Sequence, residues 1–495
     1  MKVQAEKGVD MATNGSASVP GGRSAESGDG QFYDLIVIGA GSAGIAAAKA
    51  GRRSGARVLV VARGRPGQSS LWSGTIPSKA LIAAARTAHL MRTADRFGIT
   101  AVEPEINFGR LTETIRERIT TAAPDEMIDT LRDLGIELIF GSARFDSADT
   151  LMVGDRRYGF SRAVIATGSG PVMPPIPGLA DSMPLTPESL WDLRFLPEHL
   201  TLIGGGPTGC ELAQAIARIG GHVTIIEQAE RLLPAEAREV SELITERLAA
   251  EGVEIRTGTA VRRVTTYHKH RKLSLERSDG EQDPDLEAGM IMVTAGRRAA
   301  TAGLDLPKAQ VVCDDLGYIR SDDRLRTSNH QVYAAGDVLG GRPLASLAEL
   351  DGEIAGSNAT SGKQRTVQHE LAPQVVFTDP EVGRIGLTEE AARERFGDAL
   401  KVRTTVGRLD RAIAEDEPAG MTKIISDGNG RLIGASVVSP RAGEVITELA
   451  TVLRRGGRIR ELAEVPHAYP TWSDAVWVAA MAEHAERQRT LTLRR

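Results

Sequence analysis

The chain has 495 residues, 41% of them hydrophobic and 25% charged, which is apolar material enough for about three or four domains. Its 60 Lys and Arg against 65 Asp and Glu leave a net charge of −5, which gives no reason to expect nucleic acid or an anionic membrane as partner. Two cysteines, Cys210 and Cys313, are too few for a disulfide framework or a multi-thiolate metal site, and no apolar stretch reaches the roughly 18 residues of a membrane span.

Residues 1–31 read as a disordered leader. The stretch from Gly8 to Gln31 is rich in Gly, Ser and Ala and too poor in aliphatic bulk to offset its ordering entropy. Met11 offers a second candidate start. The leader lacks the apolar run of a secretory signal, so the expectation is a cytoplasmic enzyme.

From Asp34 the texture turns to α/β. "DLIVIGAGSAGIAAAKAGRRSGARVLVVA" reads as an apolar strand, a Gly-rich turn, an Ala-rich helix and a second apolar strand. A helical stretch follows from about Pro77 to Arg96. Next comes an apolar-periodic run through Leu111, Ile115 and Ile119, interrupted by Pro124. The first pattern then returns as "LTLIGGGPTGCELAQAIARIGGHVTIIE". The two copies align at an offset of 165 residues, so that Gly39, Gly41 and Gly44 fall on Gly204, Gly206 and Gly209, and Gly55 falls on Gly220. Short strands and "VYAAGDV" at 332–338 follow, and from about Leu371 a mixed strand and helix region runs to the basic tail of Arg487, Arg489, Arg494 and Arg495, read as a solvated end.

Each GxGxxG sits between a strand and a helix. The first glycine permits the tight turn, the second lets backbone approach a pyrophosphate, and the third allows close packing. The helix N-terminus adds positive dipole. One such motif also serves plain βα connections; two in register point to two dinucleotide-binding units. The second unit ends in Glu227, whose carboxylate can accept from a ribose diol and repels a 2′-phosphate, so this unit should favour NAD(H). The matching position of the first unit is Ala62, which lacks that contact. Arg63 and Arg65 are candidates for a phosphate or ribose contact there, with surface solvation the preferred reading, and Arg231 is a candidate partner for a 2′-phosphate, which would admit NADP(H).

The ordered motifs "GAGSAG", "GTIPSKAL", "IATG", "GGGPTGCELA", "AGRR", "AAGDV" and "YPTWSD" resemble the pyridine nucleotide–disulfide oxidoreductases, a family that includes lipoamide dehydrogenase, glutathione reductase, mercuric reductase and the soluble pyridine nucleotide transhydrogenases. The resemblance runs from about Phe32 to about Arg487. It implies an α/β fold of two Rossmann-like domains, one for FAD and one for NAD, with a C-terminal α+β dimerisation domain and a homodimer. The expected division is 32–180 for the first part of the FAD domain, 181–300 for the NAD domain, 301–370 for the second part of the FAD domain and 371–495 for dimerisation. By the same resemblance Lys79 stands near flavin N5 with Glu211 as its ion-pair partner, Asp337 holds the ribitol chain and Ala143 contacts adenine through its backbone. Gly168, Gly296 and Ala345 complete the implied cofactor-binding set.

The departures bear on function. The family's CxxxxC redox pair is replaced by Ser70 and Thr75, and neither hydroxyl forms a disulfide or a thiolate. Cys210, inside the second fingerprint, reads as packing, and Cys313 lies elsewhere. The C-terminal histidine that serves the thiol is replaced by Tyr469, with His467 two residues before it. The soluble transhydrogenases resemble this chain at both points, although they usually keep the first cysteine and the acid that Ala62 lacks. The expectation is hydride transfer from NADH to FAD and then directly to a small-molecule acceptor, NADP⁺ or a quinone or other oxidant, with Tyr469 at the acceptor side. The competing reading is a degenerate, non-catalytic member acting by protein contacts.

Overall fold

The computed structural model describes residues 31–67, 72–122, 126–268, 270–362, 364–397, 400–406, 409–417 and 420–493. The leader through residue 30, Ser70, Pro124, Arg494 and Arg495 lie outside the described residues, as do the side chains of Arg487 and Arg489.

Gln31, the last residue assigned to the leader, is in a strand, paired with Tyr158. The apolar runs Gln31–Ile38 and Val58–Ala62 pair in parallel. Their Val, Ile and Leu side chains are buried on both faces, as a sheet covered on both sides requires. The first sheet runs in the order Glu137–Phe140, Val58–Ala62, Gln31–Ile38, Arg156–Ile165, Thr150–Val153, Ala143–Phe145, with Val332–Ala334 also pairing to Arg156–Ile165. The second runs Glu254–Arg256, His222–Ile226, His199–Ile203, Met290–Val293, all parallel. The repeat seen in the sequence is therefore repeated in strand order.

The Ala-rich helix Ser42–Arg53 lies against Ala345–Thr360. A Cβ at Gly352 or Gly356 would run into the carbonyls of Ala43 and Ala47, so the small residues permit close backbone approach. The expected helix 77–96 is Thr75–Arg92 followed by a separate 3₁₀ turn, Ala94–Phe97. The break falls at Thr93 (φ −111°), whose hydroxyl bonds back to the His89 carbonyl at 2.9 Å. The run through Leu111 forms Phe108–Ala122, burying Thr112, Ile115 and Ile119.

The C-terminal region has a five-stranded sheet, Gln374–Val376, Glu381–Gly386, Leu432–Ser439, Met421–Asp427, Leu400–Val406 in that order. It is packed with Ala442–Arg454 and Asp474–Leu493. Buried ion pairs join it to the second unit. Arg218 lies 2.7 Å from both Glu251 and Asp379, and Arg384 lies 2.8 Å from Glu236. Burial alone would raise the Asp379 carboxyl, but Arg218 holds it below the ordinary carboxylate range.

Candidate functional site

A cleft of about 1740 Å³ runs between the two sheet units and the C-terminal sheet. Both Gly-rich turns open into it at the carboxyl ends of their parallel strands, the usual place for ligands in such sheets. Gly39 (φ +111°) and Gly204 (φ +117°) hold left-handed backbone, and a Cβ on either would strike the next strand end, at Ala166 or Thr294. Gly44 and Gly209 pack onto the carbonyls of Gly39 and Gly204. Gly41 and Gly206, in contrast, have nothing within 4 Å of where a Cβ would stand. The middle glycine of each turn thus leaves backbone bare at a helix N-terminus, a fit for a pyrophosphate.

In the cleft wall Lys79 Nζ lies 2.8 Å from Glu211 Oε2. The lysine comes from Thr75–Arg92 and the carboxylate from Pro207–Arg218, two helices packed together. Glu211 is 8% exposed, and its other oxygen accepts from the Phe377 N–H at 2.9 Å. The Phe377 ring also faces the ammonium, 4.1 Å from its centroid. Sequence reasoning missed Phe377. It belongs to the third domain, 166 positions from Glu211, and no local signal marks it. Thr75 opens the lysine's helix and lines the cleft. The preceding turn is tied down by the Trp191 indole N–H, which donates to the Ser73 carbonyl at 2.9 Å.

Asp337 sits in the 3₁₀ turn Gly336–Leu339 and accepts from the Ser169 hydroxyl at 2.7 Å. Arg297 donates to the same hydroxyl and to the Ser169 carbonyl, each at 2.7 Å. This joins the "IATG" and "AGRR" motifs, whose Gly168 (φ +70°) and Gly296 (φ +108°) also line the cleft. Ser169 and Arg297 were not singled out by sequence, although both adjoin glycines that were. The Gly336 N–H points at Asp351 Oδ2, 3.3 Å away, and Asp351 Oδ1 pairs with His369 at 2.9 Å. Ala143 and Ala345 line the cleft as well.

Glu227 lines the cleft just past its strand. One oxygen accepts from the Gly205 N–H at 2.6 Å and the other from the Ala229 N–H at 2.7 Å. Arg231 is not in the cleft lining; its guanidinium donates to the carbonyls of Pro234 and Glu236, each at 3.1 Å. The sequence offered it as a partner for a 2′-phosphate; here the loop after the strand turns it back on its own backbone, away from the cleft lining. Ala62 is buried and lines the cleft, and Arg63 and Arg65 stand beside it at the rim, exposed.

Tyr469 is not brought to this group. It is 70% exposed and hydrogen-bonded to Asp410, which raises its phenol. His467 turns away from it into the domain, Nδ1 lying 2.9 Å from the Val465 carbonyl oxygen and Nε2 3.0 Å from Glu448. Cys210 is fully buried with its Sγ on the Gly205 carbonyl at 3.3 Å, and burial pushes its thiol far up. Cys313 is half-buried against the first unit's core. Neither lines the cleft.

A family model described as pyridine nucleotide-disulphide oxidoreductase matches residues 33–352, and one for the dimerisation domain of the same group matches 372–480. The chain is 34% identical over 456 residues to a mercuric reductase of Streptomyces lividans, covering 90% of this chain and 95% of that one. It is 36% identical over 465 residues to a dihydrolipoyl dehydrogenase of Thermus scotoductus, covering 92% and 98%. Among solved structures, the HOCl-induced flavoprotein disulfide reductase RclA from Escherichia coli matches with a TM-score of 0.80 at 27% identity, over 91% of this chain and 99% of that one.

Proposed function

We propose a function from one established premise: the chain belongs to the pyridine nucleotide-disulphide oxidoreductase family, enzymes that use FAD and NAD(P)H. Within it, this chain is an NADH-dependent flavoprotein without a redox disulfide. FAD supplies hydride acceptance from NADH and electron delivery to a small acceptor, NADP⁺ or a quinone or other oxidant. The observation that carries this reading is the helix start beside Lys79. It presents Thr75 to the cleft, while Cys210 and Cys313 both lie outside the lining. A hydroxyl there cannot relay electrons as a thiolate does, so disulfide and mercuric reductase activities are disfavoured.

The bare backbone at Gly39, Gly41 and Gly44, with Gly168, Ala143, Ala345 and Asp337, would hold FAD; Gly204, Gly206, Gly209, Glu227 and Gly296 would hold the nicotinamide nucleotide. Lys79, ion-paired with Glu211 at 2.8 Å, places a cation in the cleft. Tyr469, exposed on the dimerisation domain, would act on the acceptor side of a second copy's cleft in a homodimer.

Anaerobic titration tests this. One equivalent of NADH should discharge the flavin absorbance with no long-wavelength thiolate band, and reoxidation should follow with NADP⁺ or quinones but not with lipoamide, glutathione disulfide or Hg²⁺. Lipoamide turnover that survives replacement of both cysteines by serine would overturn the mechanism. A colourless protein that refuses FAD would favour the non-catalytic reading.

A further inference from the structure

In the first unit a second cavity of about 410 Å³ is lined by Arg162, Arg324, Arg326 and His330 around Tyr333 and Asn358. Its size falls within the range of small-molecule sites. Arg162 lies in the second half of the strand Arg156–Ile165 and Tyr333 in the middle of its parallel neighbour Val332–Ala334. Asn358 comes from the last turn of the helix Ala345–Thr360. The cavity is separate from the dinucleotide cleft: the two share no lining residue.

The charges in this cavity are not balanced. Arg326 is committed to Asp322 at 2.7 Å. The Arg162 guanidinium donates to a neutral acceptor, the Ser161 carbonyl, at 2.7 Å. The Arg324 guanidinium makes no hydrogen bond or ion pair among the described residues, although its carbonyl accepts from Asn358 at 3.0 Å. The arginines are not simply neutralising the carbonyls at the helix end. The Asn358 carbonyl is taken by the Tyr333 hydroxyl at 3.3 Å and by the Gln364 amide at 3.5 Å. Asp322 and the neighbouring Asp323 both act on Arg326, while the guanidinia of Arg162 and Arg324 have no carboxylate within ion-pair distance among the described residues, leaving fork-shaped donors suited to a tetrahedral oxyanion. Tyr333, 3% exposed, gives the site an apolar floor.

The geometry points to an anion site here, taking a phosphate group, free or carried as a small phosphomonoester, with Arg162 and Arg324 as its principal ligands. The strands that carry Arg162 and Tyr333 run on to Gly168 and Asp337, at most roughly 20 Å of chain away. An occupant would thus brace the same two strands that present the cofactor loop.

The test is calorimetric titration of the purified holoenzyme, with NAD⁺ saturating so that the main cleft is filled. Inorganic phosphate, pyrophosphate and a nucleoside monophosphate are titrated separately at fixed ionic strength. Saturable binding of at least one is expected, weakened at least tenfold in the Arg162→Gln/Arg324→Gln double variant and weakened by added salt, with flavin absorbance unchanged. Tighter binding of the monophosphate than of inorganic phosphate would identify an ester as the ligand; the reverse would identify the free anion. If the double variant does not fold, Arg324→Gln alone should weaken binding several-fold, since its guanidinium supports nothing in the fold. The absence of saturable binding in the wild type, or equal binding in the folded variants, would overturn the site.

Discussion

Lys79 Nζ and Glu211 Oε2 stand 2.8 Å apart although 132 positions separate them in the chain. The pair joins a helix of the first unit to the fingerprint helix of the second, and Phe377 of the third region closes over both. One residue from each of three regions fixes a single ammonium, so domain assembly and placement of the cation are the same event.

Lys79→Met should therefore slow NADH-driven flavin reduction by at least about tenfold, the rate equivalent of one charge-assisted contact. It also leaves Glu211 buried without its counter-charge. Glu211→Gln should retain more activity than Lys79→Met, because the cation stays and the amide still offers an acceptor. Stopped-flow reduction of the two variants measures the order; equal rates to wild type would remove Lys79 from the reductive half.

Glu227 carries a second prediction. A carboxylate has about four acceptor sites, of which the Gly205 and Ala229 N–H groups take two, leaving the remainder for a ribose diol. Glu227→Ala should narrow or invert the preference for NADH over NADPH. It should also loosen the Gly-rich turn, since two backbone donors lose their acceptor at about 1–3 kcal/mol each. Steady-state kinetics with both nucleotides decides the first part, and a wild-type preference for NADPH would refute the assignment.

Much of this site was legible because its constraints are local. Gly39 and Gly204 need left-handed backbone, Gly41 and Gly206 need bare backbone, and both needs write themselves as glycine at fixed spacing. The Lys79–Glu211 pair was legible through family order, not through any local pattern. What stayed hidden depends on long-range approach. Nothing near Phe377 announces a lysine 298 positions earlier, and nothing near Arg231 announces that its guanidinium folds back on Pro234 and Glu236.

His369 gives the chain a pH dependence with a definite sign. Its hydrogen bond to Asp351 outweighs burial and raises its pKa above 6.5. The protonated form is therefore favoured by folding, and the stabilisation is complete below pH 6.5 and is lost as pH rises through the raised folded value. Comparing the wild type with His369→Gln, the difference in Tm should be largest near roughly pH 5.5 and shrink by about pH 8.5. Because Asp351 also faces the Gly336 N–H beside Asp337, retention of FAD should follow the same trend. A Tm difference independent of pH would show that the pair is not titrating.

Ala62 marks the place where the two repeats differ in substance. In the second unit Glu227 reaches back to the Gly205 N–H; the 165-residue offset places Ala40 where Gly205 stands and Ala62 where Glu227 stands. Ala62 ends at Cβ, so the Ala40 N–H faces no side-chain acceptor from that position. Ala62→Glu should supply both what the turn lacks and what a ribose would use. Because the new carboxylate would lie at the cleft wall beside Arg63 and Arg65, its charge is not stranded in an apolar core. Net hydrogen bonds of this kind contribute about 1 kcal/mol, so FAD should dissociate from the variant roughly fivefold less readily. Ala62→Leu, which adds bulk without an acceptor, should weaken FAD instead. Dialysis against chaotropic salt followed by flavin fluorescence of the filtrate compares the three proteins. Equal loss of FAD from wild type and Ala62→Glu would mean that the position does not face the cofactor and that the registration of the two units fails there.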